Sequence, residues 1–215
     1  MGMSGVEQLG PYTLSWPDGV FPLGSDTLAL GEFAPVKPGW KVCDLGTGSG
    51  ALLLLLARRA HGLNLWWIEL DPVSAHTARE NMKANGLEGE ILEGDLRDDL
   101  LPPGSMDLVV SNPPYFPLES GKSGGGFRSE ENCTLEQLCR QAARLLKNGG
   151  RFALCHRPER LCDVLCAMRA EGLEPKRLQF VSHSPHHSPS LILVEGRRQG
   201  RAGLEILPHK FHQST

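Results

Sequence analysis

From residue 41 onward, short apolar runs alternate with segments whose apolar residues recur at helical spacing, and few folds accept that alternation. The strand-like runs are 41–45, 64–69, 90–93, 107–111, 151–156, 177–182 and 191–195, and helical patterns fall at about 49–60, 72–85, 134–147 and 158–171. Runs that are apolar on both faces require helices above and below the sheet, and strand-helix-strand units require parallel crossovers. The last two runs are joined only by the loop SHSPHHSPS, so they should pair antiparallel and close one edge. The chain should therefore be α/β, with a seven-stranded, mostly parallel sheet, an antiparallel last strand pair and helices on both faces.

Local punctuation agrees with that plan. Asp71 followed by Pro72 supplies a cap and a first-turn proline for the helix at 72–85, and Gly86 follows its end. The stretch 117–132 differs: it carries GKSGGGFRSEEN with no apolar period, and is expected to be an exposed, mobile loop beside a strand end, in the position of a lid.

Composition narrows the class further. With 40% hydrophobic and 22% charged residues, the 215-residue chain reads as a soluble globular protein with one sizeable core. Its most apolar stretch, ALLLLLA at 51–57, is followed by Arg58 and Arg59 and falls short of the roughly 18 residues of a membrane span. The start MGMSGVEQLG has no basic and apolar leader pattern, and Val6 stands where a myristoylation signal wants Ser or Thr. A cytoplasmic protein without a membrane partner is expected.

Cysteines at 43, 133, 139, 155, 162 and 166 lie mostly in apolar periodic segments and read as reduced and buried. Cys162 and Cys166 are one helical turn apart, with His183, His186 and His187 downstream. The chain lacks a CxxC pair and those histidines sit in a Ser/Pro-rich loop, so no metal is expected. Charge is uneven: residues 1–143 hold 10 basic and 19 acidic side chains, residues 144–215 hold 12 and 6. A basic later third suits a polyanionic partner such as nucleic acid.

The candidate chemistry collects at strand ends. DLGTGSG, Asp44 to Gly50, follows the first run and opens a helix, so Gly46 and Gly48 let backbone approach a ligand. Ala51 completes a relaxed GxGxxA form, which leaves a dinucleotide open on this loop alone. Glu69 ends the second run, where a carboxylate can accept both ribose hydroxyls of an adenosine cofactor, and Asp95 ends the third, near an adenine amine; a helix cap is the alternative for Asp95, and Asp71 could replace Glu69. The fourth run ends in SNPPYF. Pro113 and Pro114 stop the strand and hold Asn112 at its carboxyl end. The Asn112 side-chain oxygen and the Pro113 carbonyl can each accept a hydrogen from a planar amine, orient it, and stabilise the positive charge that grows on nitrogen during methyl transfer. Tyr115 can stack on a planar acceptor, with Phe116 nearby.

Together DLGTGSG, Glu69, Gly94-Asp95 and NPPY resemble the class I S-adenosylmethionine-dependent N-methyltransferases, which implies a Rossmann-like methyltransferase fold. More narrowly, GSDTLALGEFAP at 24–35, NPPYF, FRSEE at 127–131, GGRFALCHRPERL at 149–161 and LILVEGRRQGRAGLEILP at 191–208 resemble the bacterial tRNA adenine-N6-methyltransferases, from about residue 20 to the end. Familiar members of that family modify the anticodon-adjacent adenine of a valine tRNA. The resemblance implies S-adenosylmethionine as cofactor, held by Asp44, Gly46, Gly48, Glu69 and Asp95, with Phe21 and Asp26 bordering the cofactor and substrate pocket. It implies Asn112, Pro113 and Tyr115 as catalytic residues, and Phe116, Arg128, Arg157, Arg160, Arg197 and Arg198 on the substrate side, with tRNA as partner. Residues 1–40 become an N-terminal segment bordering the active site, and 41–215 the methyltransferase domain. Three other readings stay open: a protein glutamine N5-methyltransferase, an rRNA guanine N2-methyltransferase, and a binding module without activity. The oligomeric state is open as well.

Overall fold

The structure, a computed structural model, describes residues 3–113 and 133–211. It begins with an antiparallel hairpin, β1 (Met3–Leu9) and β2 (Tyr12–Pro17), turned at Gly10 and Pro11. Then follow α1 (Ser25–Phe33), β3 (Lys41–Leu45), α2 (Ala51–Ala57), β4 (Asn64–Glu69), α3 (Pro72–Ala84), β5 (Gly89–Glu93) and β6 (Met106–Ser111). The later part comprises α4 (Leu135–Leu145), β7 (Leu146–His156), α5 (Leu161–Ala170), β8 (Leu173–Ser182), β9 (Leu191–Arg198), β10 (Glu205–Ile206) and β11 (Lys210–Phe211). The main sheet runs β10-β8-β9-β7-β6-β3-β4-β5, with β11 also paired to β8.

Pairing is parallel from β5 through β4, β3 and β6 to β7, and β9 is antiparallel to both β7 and β8. The expected α/β architecture with an antiparallel late pair is what the chain forms. The count of seven is short by two, because β10 and β11 are two-residue strands parallel to β8, too brief to carry an apolar period. The N-terminal hairpin and α1 were likewise not among the expected elements.

Side chains alternate across the sheet. Val42, Leu108 and Val110 pack with α1, α2, α3 and Leu9 and Leu14 of the hairpin, whereas Cys43, Val109 and Phe152 pack with α4 and α5. Each central strand is thus buried on both faces. Asp71 caps α3 by accepting from the Ser74 amide at 2.8 Å, and Thr134 and Gln137 form a reciprocal capping box on α4. Burial of all six cysteines is corrected: all are thiols, but Cys133, just before α4, is half-buried, and Cys162 and Cys166 are exposed because α5 turns their side of the helix to solvent.

The chain direction across the sheet reverses between β3 and β6, where β3 leads outward to β4 and β5 while β6 leads to β7. The carboxyl ends of these two strands therefore flank the crevice where open α/β sheets take ligands. Ser111 braces that boundary, its hydroxyl donating to the Leu45 carbonyl at 2.7 Å.

Candidate active site

A cavity of about 420 Å³ opens at this crevice, lined on one side by residues 19–27 and on the other by the loops after β3, β4 and β6. Its volume is in the range of small-molecule sites. Asp44, Gly46, Gly48, Glu69, Asp26, Phe21, Asn112, Pro113 and Arg157 all line it, so most of the positions singled out in the sequence converge here. The lining also includes Ser25, Thr27, Asp71 and Ser74.

The loop after β3 is shaped by backbone. Gly46 and Gly48 have φ of 76° and 57°, and a Cβ on either would project into open space, so the loop presents bare backbone. Glu69 spans the loop: one carboxylate oxygen accepts from the Gly48 amide at 2.8 Å, the other from the Asp71 amide at 3.0 Å. Asp44 is buried. Its Oδ2 accepts from the Thr47 hydroxyl at 2.8 Å, and its Oδ1 has no partner among the described residues. Burial pushes its carboxyl up to about 7, against the lowering effect of the Thr47 hydrogen bond and with a smaller upward push from Glu69. An orphaned buried acceptor beside a glycine cradle and an oriented carboxylate fits a ligand bearing hydrogen donors and positive charge.

On the other side Asn112 leaves β6 with its carboxamide held at both ends. Its Nδ2 donates to the Thr27 hydroxyl at 2.9 Å, and the Cys155 thiol donates to its Oδ1 at 3.1 Å. A second cavity, of about 70 Å³, lies around Asn112 and Pro113 and is lined by Leu96, Cys133, Leu138 and His156. His156 is buried, its Nδ1 accepts from the Arg157 amide at 2.9 Å, and burial pushes it down to about 4, so it is neutral at physiological pH. Thr27 and His156 carry no reading from the sequence, and Cys155 is read there only as a buried thiol, with no role at the site. The first lies within GSDTLALGEFAP, and the other two within GGRFALCHRPERL.

Other positions fall elsewhere. Asp95 does not reach the large cavity: Arg97, two residues on, folds back and contacts both of its carboxylate oxygens, holding its carboxyl below the usual range. Arg160 pairs with Asp163 at 2.6 Å. Arg197 and Arg198 are not near the site, because the register pairing Arg151 with Arg197 puts them five or more residues back along β7 from His156, toward the opposite edge of the sheet. Arg198 there donates to the carbonyls of Arg144 and Leu146. Tyr115, Phe116, Arg128 and the loop 117–132 lie outside the described residues. Among the described residues no cluster of three His, Cys, Asp or Glu side chains could hold a metal ion, and no helix is long and apolar enough to cross a membrane.

The same chain matches the family model of the methyltransferase small domain over residues 23–165. A protein of Porphyromonas gingivalis named tRNA1(Val) (adenine(37)-N6)-methyltransferase is 34% identical over 188 residues, covering 81% of this chain and 74% of its own. One of the same name from Bacteroides thetaiotaomicron is 32% identical over 205 residues, covering 89% and 85%. Among solved structures, a predicted O-methyltransferase from Agrobacterium tumefaciens superposes with a TM-score of 0.69 at 21% identity, covering 86% of both chains. A methyltransferase from Aquifex aeolicus gives 0.62 at 17%, covering 80% and 89%. These two share the fold.

Proposed function

As the chain belongs to the methyltransferase small domain family, among relatives named tRNA1(Val) (adenine(37)-N6)-methyltransferase, we propose that it methylates the N6 amine of an adenine in tRNA using S-adenosylmethionine. The anticodon-loop adenine 37 of a valine tRNA is the first acceptor to test. One observation carries this reading: a single cavity joins the Asp44, Gly46, Gly48 and Glu69 group to Asn112 and Pro113.

S-adenosylmethionine, when bound, supplies a methyl group on a sulfonium, which needs neither metal nor acid to be electrophilic. Asp44 and Glu69 would hold it, the first as a buried carboxylate facing positive charge, the second through acceptor positions aimed by the Gly48 and Asp71 amides. Asn112 and the Pro113 carbonyl accept hydrogens from the acceptor amine, which orients its lone pair and stabilises charge that appears only in the transition state. Phe21 and Asp26 line the same cavity as Asn112 and Arg157, so the segment before β3 shares its site with residues 41–215. A loop adenine is the easier acceptor because it is already unpaired.

Mass spectrometry of nucleosides from tRNA incubated with the protein and methyl-labelled cofactor should show N6-methyladenosine. Label on N2-methylguanosine or on protein glutamine would replace the adenine reading, and no cofactor turnover with any of them would leave a binding module. Asn112→Ala should remove transfer while cofactor affinity changes less than about twofold, the signature of a contact made in the transition state.

A further inference from the structure

We propose that Thr27 is a positioning residue, which acts by holding the carboxamide of Asn112 in its accepting orientation; the proposal rests on the reading of Asn112 given above. A primary carboxamide presents an oxygen at one end and an NH2 at the other, and its terminal torsion is broad and roughly two-fold. Only the oxygen can accept a hydrogen from an acceptor amine. With the NH2 turned toward the substrate, two donors would face each other. The orientation of Asn112 is therefore a requirement of the chemistry, and the backbone of β6 alone does not set it.

The fold supplies contacts that do. Thr27 stands in the first turn of α1, 85 residues away in sequence, and takes the nitrogen end at 2.9 Å. Cys155, near the carboxyl end of β7 and fully buried, gives its thiol proton to the oxygen end at 3.1 Å. A carboxamide oxygen accepts two hydrogen bonds, so the thiol and an acceptor amine are compatible partners. α1 itself is pinned at its far end. Arg59 donates to the carbonyls of Gly31 and Ala34, the latter at 2.7 Å, and Arg177 donates to the Phe33 carbonyl at 2.8 Å. Arg177 is fixed in turn by the buried Glu195, which also pairs with Arg151. Thr27 is thus carried on a helix whose position along its axis is set, and its hydroxyl meets Asn112 at a fixed place.

Thr27→Val, nearly isosteric, keeps the branched shape and deletes the hydrogen-bonding hydroxyl; Thr27→Ser restores the hydroxyl and loses a methyl. The side-chain NH2 resonances of Asn112, identified by their loss in Asn112→Ala, report the contact without any acceptor or cofactor. They should sit away from free-carboxamide positions in the wild type and in Thr27→Ser, and move toward them in Thr27→Val. In methyl transfer to tRNA, Thr27→Val should lower kcat about five- to tenfold, the size of one lost hydrogen bond, with KM and cofactor Kd within about twofold. Thr27→Ser should recover most of kcat. Unmoved Asn112 resonances in Thr27→Val, an unchanged kcat, a cofactor affinity that falls in step with kcat, or a serine variant as slow as the valine would each overturn the proposal. A wild-type protein that methylates no tRNA adenine would instead sink the functional reading, while the resonances still decide on Thr27.

Discussion

Asp44 is a carboxyl group that burial holds at the edge of ionisation. Its folded pKa is raised from the ordinary carboxylate range to about 7, so burial favours the neutral form, and its contribution to stability is complete below about pH 4 and lost as pH rises through 7. S-adenosylmethionine carries a sulfonium and an ammonium and favours the ionised form. Cofactor affinity should therefore rise with pH, by up to about a decade per unit below pH 7, and level off above it. Calorimetry between pH 5.5 and 8.5 checks this, and Asp44→Asn should bind more weakly with a flat profile across the window. Glu69→Ala should weaken binding by roughly tenfold or more, since a charged hydrogen-bond acceptor is worth about 1.5 to 3 kcal/mol. The positions of Asp44, Glu69 and Asn112 at the cavity are legible in the sequence because each ends an apolar strand, and parallel strands bring their carboxyl ends to one edge. Asp95 obeys the same rule of spacing, yet a two-residue turn lets Arg97 claim it. Thr27 and Cys155 leave no such local mark, being 85 and 43 residues from the side chain they hold.

At the scale of elements, the N-terminal hairpin is joined to the site by one side chain on α3. Asn81 is buried; its oxygen accepts from the amide and the hydroxyl of Ser15, both at 3.0 Å, and its nitrogen donates to the carbonyls of Ser15 and Ser49. Ser49 belongs to the glycine loop that lines the cavity, so β2, α3 and that loop share a single residue. Asn85, one turn further, repeats the clasp on Thr13 at 2.8 and 2.7 Å. Replacing Asn81 by Ala strips partners from the half-buried Ser15 and from the buried carbonyl of Ser49, and should cost about 2 kcal/mol in urea unfolding, with a measurable loss of cofactor affinity through the loosened loop. Unchanged cofactor affinity in a destabilised Asn81→Ala protein would limit its role to the hairpin. The central helices and strands are legible from period and caps, and their observed bounds differ from the expected ones by a few residues. The hairpin is legible only in half: YTLSW alternates apolar and polar residues strictly, but VEQL does not, and the pair is held by Leu9 and Leu14 in the core together with Asn81 and Asn85 at a distance in sequence.

Seen as a whole molecule, the sheet has two edges of different character, and its topology decides which one can meet a tRNA loop. The carboxyl edge carries the cavity, and Arg157 follows β7 directly at its rim. The amino edge carries Arg197, opposite Arg151, five residues back along β7 from His156, roughly 17 Å away at the rise of a strand. The excess of positive charge in the later third of the sequence is therefore divided between the edges rather than gathered into one surface, since β9 runs antiparallel and returns its basic end away from the site. Sequence order could not reveal that division, because it depends on the direction in which β9 enters the sheet. If the acceptor adenine enters at the carboxyl edge, phosphates beside it meet Arg157. Arg157→Glu should then weaken tRNA binding and flatten the dependence of log Kd on log salt by about one phosphate contact, while Arg197→Glu should change either quantity far less. Anisotropy titrations of labelled tRNA from low to physiological salt measure both. Loss of affinity in Arg197→Glu with Arg157→Glu unaffected would put the RNA on the amino edge, where a flipped base could not span the sheet to reach Asn112.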